Sequence, residues 1–154
     1  MDVSGRRRGI VSPRAHMSAD YEIIEHTADV GIRAWAESLE SLFLQTTLGL
    51  LDIAGAWRPG SEGTEVPIAV EAPDLGGLLV DWLGEVLYLQ EARDALIGDV
   101  VVDLVGEGRA SGRITLAPRE GESVEGTAVK AITYHQLSVG PAGGGFEARV
   151  FVDV

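Results

Sequence analysis

The feature that most constrains this chain is a change of hydrophobic period near Leu96. Upstream, Leu39, Leu42, Phe43, Thr46, Thr47, Leu50 and Leu51 recur at helical spacing behind Ser38, a good N-cap, and the pattern stops before Gly55. Asp74 caps a second such stretch, in which Leu75, Leu78, Leu79, Trp82, Leu83, Val86 and Leu87 share one face. Gly76 and Gly77 sit in its first turn, where each costs about 1 kcal/mol relative to Ala, so close packing is the one reason for them. Downstream the period becomes two. Asp99 to Val105, Arg109 to Ala117, Ala128 to Ser138 and Phe146 to Val154 read as strands, and the GPAGGG run from Gly140 to Gly145 reads as a hairpin turn. Tyr21 to Glu25, Gly31 to Ala36 and Thr64 to Glu71 are earlier strands, with a loop over Trp57 to Gly63. No internal repeat is evident. Two helices followed by a run of strands imply an α+β, two-layer sandwich: a mostly antiparallel β-sheet with two helices packed on one face.

A chain of 154 residues suits one domain, and 45% hydrophobic with 23% charged residues is a folded composition. The expected organisation is a flexible basic N-terminal extension over residues 1–16, with Met17 a candidate alternative start, and a single domain over 17–154. The Arg cluster at Arg6 to Arg8 has no apolar stretch after it, so the N-terminus does not read as a secretory signal. No apolar run approaches the roughly 20 residues of a membrane-spanning helix, and the absence of cysteine excludes disulfides and Cys-based zinc sites. A cytoplasmic protein without membrane partners is expected. The net charge is −12, and residues 1–16 hold four of the 12 basic groups but one of the 24 acids, so the remainder is more acidic still. Such a body repels phosphate backbones, which disfavours direct nucleic-acid binding and favours cations and basic protein surfaces as partners.

Three places hold the chemistry-bearing residues. His26, Thr27 and Asp29 lie in the polar turn after the first strand, where an Asp most often hydrogen-bonds its own backbone. Lys130, the only lysine among 12 basic residues, opens a predicted strand in which Lys130, Ile132 and Tyr134 share one face, with His135 opposite unless the strand bends. A compact ammonium is not interchangeable with a planar guanidinium, so a lone lysine in an arginine-rich chain suggests a fitted position. Asp153 stands one residue before the end, on the face opposite Val150, Val152 and Val154. Its carboxylate, the terminal carboxylate of Val154 and a third acid such as Asp29 would form an oxygen-rich pocket. Carboxylates so crowded repel unless a cation neutralises them or one binds a proton. Oxygen donors suit Ca²⁺ or Mg²⁺, and His26 would admit a transition metal. The alternative is a frayed, solvated terminus.

The order HTADVG, then KAITYH, then a penultimate Asp, set in YEIIEHTADVGIRAWAESLESLFLQTTLGLLDI, VKAITYHQL and VFVDV, strongly resembles the archease family over about Tyr21 to Val154. The resemblance implies a small α+β protein that is not itself an enzyme. It implies an accessory role for an RtcB-type RNA ligase in tRNA splicing and RNA repair, promoting guanylylation of the ligase and multiple turnover. It also implies that Asp29, Asp153 and Val154 bind a divalent metal, usually calcium, and that Lys130, Tyr134 and His135 belong to the same functional patch. The WA at Trp35 and Ala36 departs from the expected aromatic followed by glycine, and the extension before Met17 lies outside the family pattern. Two other classes remain: a metal-dependent hydrolase using Asp29, His26, His135 and Asp153, and a chaperone or scaffold without a metal.

Overall fold

The computed structural model describes residues 6–8, 20–25, 29–119, 121 and 126–154. Strands β1 (Arg6–Arg8), β2 (Tyr21–Glu25), β3 (Asp29–Ala36), β8 (Gly145–Asp153) and β7 (Ala131–Ala142) form one sheet in that order. A second sheet orders β4 (Thr64–Glu71), β6 (Arg109–Pro118) and β5 (Ala95–Gly106). Every strand pairing is antiparallel.

Helix α1 (Leu39–Ala54) begins where the sequence predicts: the Ser38 hydroxyl accepts from the Ser41 N–H, and Gly55 closes the helix in a left-handed conformation at φ 66°. Helix α2 (Leu75–Ala92) begins at Asp74, whose carboxylate accepts from the Gly77 N–H at 2.7 Å. The first-turn glycines now have a reason. A Cβ on Gly76 would come within 2.9 Å of Leu137 Cδ2 on β7, so the missing side chains let that strand close over the start of α2.

The α+β class with two helices and antiparallel strands stands, and the strands divide into two sheets where alternation alone suggested one. Helix α1 packs on β2, β3 and β8 of the first sheet and on β5 of the second; α2 packs on β7 and on β4, β5 and β6. Each helix therefore buries much of its circumference, which is why Leu48, Leu50 and Leu51 of α1 are all buried. The indole N–H of fully buried Trp82 donates to Thr47 Oγ1 at 2.9 Å, satisfying a polar atom at the join between the helices. No helix among the described residues is long and apolar enough to cross a membrane.

Three differences from the sequence reading matter for the site. Arg6–Arg8, expected within a flexible extension, pair with Glu22 to Ile24 of β2. Strand β7 starts at Ala131, after Lys130, and its pairing with β8 is interrupted between Thr133 and Ser138. The hairpin turn is confined to Gly143 and Gly144, with β7 running through Pro141 to Ala142.

Candidate functional site

The inward faces of β3 and β8 fix their register. Ile32, Ala34, Ala148, Val150 and Val152 are fully buried, and a slip of one residue would turn all of them to the outside. The pairing they enforce places Ile32 opposite Val150, Val30 opposite Val152, and Asp29 directly opposite Asp153. Directly opposed residues of an antiparallel pair share a face, with Cβ atoms about 5 Å apart. Two carboxylates from opposite ends of the chain thus stand side by side at one end of the sheet, Asp29 half-buried and Asp153 exposed. Like charges in that position repel and destabilise the pair. Among the described residues neither carboxylate takes part in a side-chain hydrogen bond or ion pair.

The terminus is not frayed. Strand β8 continues through Asp153, the Lys130 N–H donates to the Asp153 carbonyl at 2.7 Å, and the Val154 side chain packs against the core. That bond ties the second motif to the third. The Lys130 side chain is exposed and makes no ion pair with a described residue.

The expected face-sharing along β7 holds as far as His135 and is lost beyond it. Gln136 has φ 52°, a left-handed conformation unfavourable for a residue with a Cβ, and the four residues 134–137 have no partner on β8. His135 shares the parity of Thr133 and lies on the outer face, opposite Ile132 as the sequence predicts, where its ring meets Phe151 edge-on with centroids 6.0 Å apart and planes at 66°. Tyr134 is left 63% exposed, and Leu137 reaches the start of α2. The Thr133 hydroxyl pins the bulge: it donates to the Phe151 carbonyl at 3.0 Å and accepts from the His135 N–H at 3.3 Å.

Phe151 and Gly31 are the site residues that sequence reasoning missed. The Phe151 ring is 3% exposed although it lies on the outer face, because it covers Gly31: a Cβ there would lie 2.8 Å from the ring. The signal was present in a shift of apolar parity, from Ile132 to Leu137 and Val139, which marks a bulge, and in a glycine opposite an aromatic.

Against the residues expected to form the site, the structure brings Asp29, Asp153, Val154, Lys130, Tyr134 and His135 to one end of the first sheet. His26 and Thr27 lie outside the described residues. Among the described residues no group of three or more His, Asp or Glu side chains is arranged to hold a metal. Asp29 and Asp153, which are opposed across the two strands, could supply oxygen donors, whose chemistry fits a hard cation such as Ca²⁺ or Mg²⁺. A groove of about 950 Å³ lies elsewhere, by Trp35, Ser38 and the Gly143–Gly144 turn, at the other end of β3 and β8.

Residues 21–154 match the model of the Archease protein family (MTH1598/TM1083). The chain belongs to the archease family. It is 35% identical over 139 residues to the archease of Methanosarcina mazei, covering 87% of this chain and 95% of that one. It is 36% identical to the Pyrococcus furiosus archease, over 77% of this chain and 87% of that one. Among solved structures, it resembles Methanobacterium thermoautotrophicum protein 1598 with a TM-score of 0.69 and 26% identity, over 88% of this chain and 99% of that one. An archease from Thermotoga maritima, described as a possible chaperone, shares the fold at a TM-score of 0.62 and 20% identity, over 85% and 94% of the two chains. The archease match begins at Tyr21, so β1 lies outside the shared region.

Proposed function

We propose that this archease is a cytoplasmic activator of an RtcB-type RNA ligase, acting in tRNA splicing and RNA repair by promoting guanylylation of the ligase and so its multiple turnover. The observation that carries the reading is the register of β3 and β8, which sets Asp29 against Asp153, with Lys130 tied to Asp153. Three separate stretches of the chain converge there at the end of a sheet, which suits a surface that engages another protein.

Asp29, Asp153 and the carboxylate of Val154 would hold a divalent cation, calcium by preference and magnesium as the alternative. When bound, the cation supplies the positive charge that lets these carboxylates sit together. The chain's own residues do the rest. The acidic end steers the protein toward a basic, RNA-binding cleft. Tyr134, which is 63% exposed, and the His135 ring braced on Phe151 offer aromatic contacts. Preferential binding to the ligase conformation competent for guanylylation shifts the ligase toward it. The possible-chaperone description of the Thermotoga maritima relative accords with action on a protein partner.

A hydrolase would need an enclosed pocket with a general base beside an open metal position; the acid pair stands at a sheet end, away from the groove by Trp35. The deciding measurement is RNA joining by the cognate ligase at substoichiometric ligase, with and without this protein. Activation predicts many turnovers with it and about one without it. Equal yields would end the proposal. Asp153→Ala should abolish the gain, whereas a metal-free scaffold would tolerate that change.

A further inference from the structure

Helix α2 turns one face outward between two strands that each end a sheet: β4 pairs only with β6, and β7 only with β8. A groove of about 470 Å³ runs between them. Val70, Val80 and Ile132 supply its apolar lining, and Glu71, Asp81 and Glu85 supply carboxylates, with no Lys or Arg among the lining residues. Asp81 and Glu85 make no ion pair with a described residue; Glu71 has Arg109 as its cross-strand neighbour. Tyr88, a turn beyond Gly84 on the same helix face, is 64% exposed.

Gly84 is the independent observation. A glycine inside a helix costs about 1 kcal/mol relative to Ala. Gly76 has a packing reason, but a Cβ on Gly84 would meet nothing within 4 Å. No described residue packs into the notch, which leaves it open to close approach from outside. The Asp81 and Glu85 carboxylates, which make no ion pair with a described residue, an apolar lining and an exposed phenol able to stack on a guanidinium select the visitor's chemistry. Nucleic acid and anionic lipid carry the wrong sign, and a second copy of a chain with net charge −12 is repelled.

We infer that this groove docks a segment of a partner protein in which arginine or lysine side chains alternate with apolar ones, laid across Gly84 between the two strand edges. Ile132 follows Ala131, the register partner of Asp153, so the groove lies around the edge of β7 from the acid pair. Naming the RNA ligase as the owner of the segment rests on the function proposed above; the chemistry of the groove does not.

The test is an NMR titration of the full chain with an amidated heptapeptide alternating arginine and leucine. Docking predicts amide shifts centred on Val70, Gly84, Glu85 and Ile132. It predicts about tenfold weaker binding for the Asp81→Asn, Glu85→Gln double variant, given up to about 1 kcal/mol per exposed ion pair. Gly84→Gln should abolish binding while melting no lower than the parent, because Gln is the better helix former and the space is open. Absence of binding, shifts confined to the Asp29 and Asp153 end, or unchanged affinity in both variants would overturn the inference. The turnover assay is a separate readout: a peptide that maps to the groove beside a ligase that gains nothing would keep the groove and discard the ligase.

Discussion

On the outer face of β3 and β8, two like-charged pairs stand directly opposed, Arg33 with Arg149 and Asp29 with Asp153, and the protein treats them differently. Around the first, Arg33 Nε donates to Glu147 at 2.7 Å and Nη1 lies 3.5 Å from Glu22, a carboxylate that is 6% exposed. The hydrogen bond to Glu147, chiefly, raises the Arg33 pKa above its ordinary value; burial opposes it, and the charges of Glu147 and Glu22 add to it. Around the second pair the described residues offer no counter-charge. The same two strands can therefore balance a repulsive pair from within, and at the sheet end they do not. That contrast among the described residues is what the proposed cation site would require, and it can be attacked experimentally.

The largest effect should come from the residue between the two pairs. Phe151→Ala removes a buried ring lying over Gly31 and beneath His135, and should lower stability by about 3 kcal/mol. Urea unfolding reads it, and a loss below about 1 kcal/mol would mean the ring does not lock the strands that align both pairs. Next is the cation: calcium at about one hundred times its Kd should stabilise the protein by about 2.7 kcal/mol. Asp153→Ala should erase the accompanying rise in melting temperature; a rise that survives the substitution would place the ion elsewhere.

Arg33→Met removes the guanidinium that bonds Glu147 and lies near Glu22 and should cost about 1 kcal/mol, kept small because the Arg33 side chain is 38% exposed. A neutral result would show that the balance around Arg33 is not energetic. The smallest effect is the most diagnostic. In chelator, Asp29→Asn should raise stability by up to about 1 kcal/mol by removing the repulsion, and calcium should no longer help. A loss of stability in chelator would reveal a counter-charge within the protein and erase the contrast between the pairs.

Much of the fold was legible because its determinants are local. Ser38 and Asp74 cap helices where they stand, and Gly55 ends one by its left-handed backbone. The Thr133 to Ser138 bulge was not legible as a strand feature, because strict alternation was carried through VKAITYHQL when Leu137 answers to the start of α2 and not to β8. His135, which precedes the left-handed Gln136, keeps the face that parity gave it, opposite Ile132. The division into two sheets was equally hidden: alternation shows that a strand has one apolar face, but not which helix or sheet covers it. The candidate site was legible mainly through motif likeness, since Asp29 alone reads as a turn residue and Asp153 alone as a chain end.

The sequence by itself determined the helices, most strand positions, the acidity of the body and the family, all properties of neighbours along the chain or of composition. Only the tertiary structure decided that Asp29 faces Asp153, that Lys130 is tied to the latter, and that Gly84 opens onto empty space. Those facts depend on strand register and helix packing, which are set by burying Ile32, Val150, Val152 and Trp82 together. Burial rewards contacts between residues far apart in sequence, so the meeting of two carboxylates follows from the apolar residues beside them.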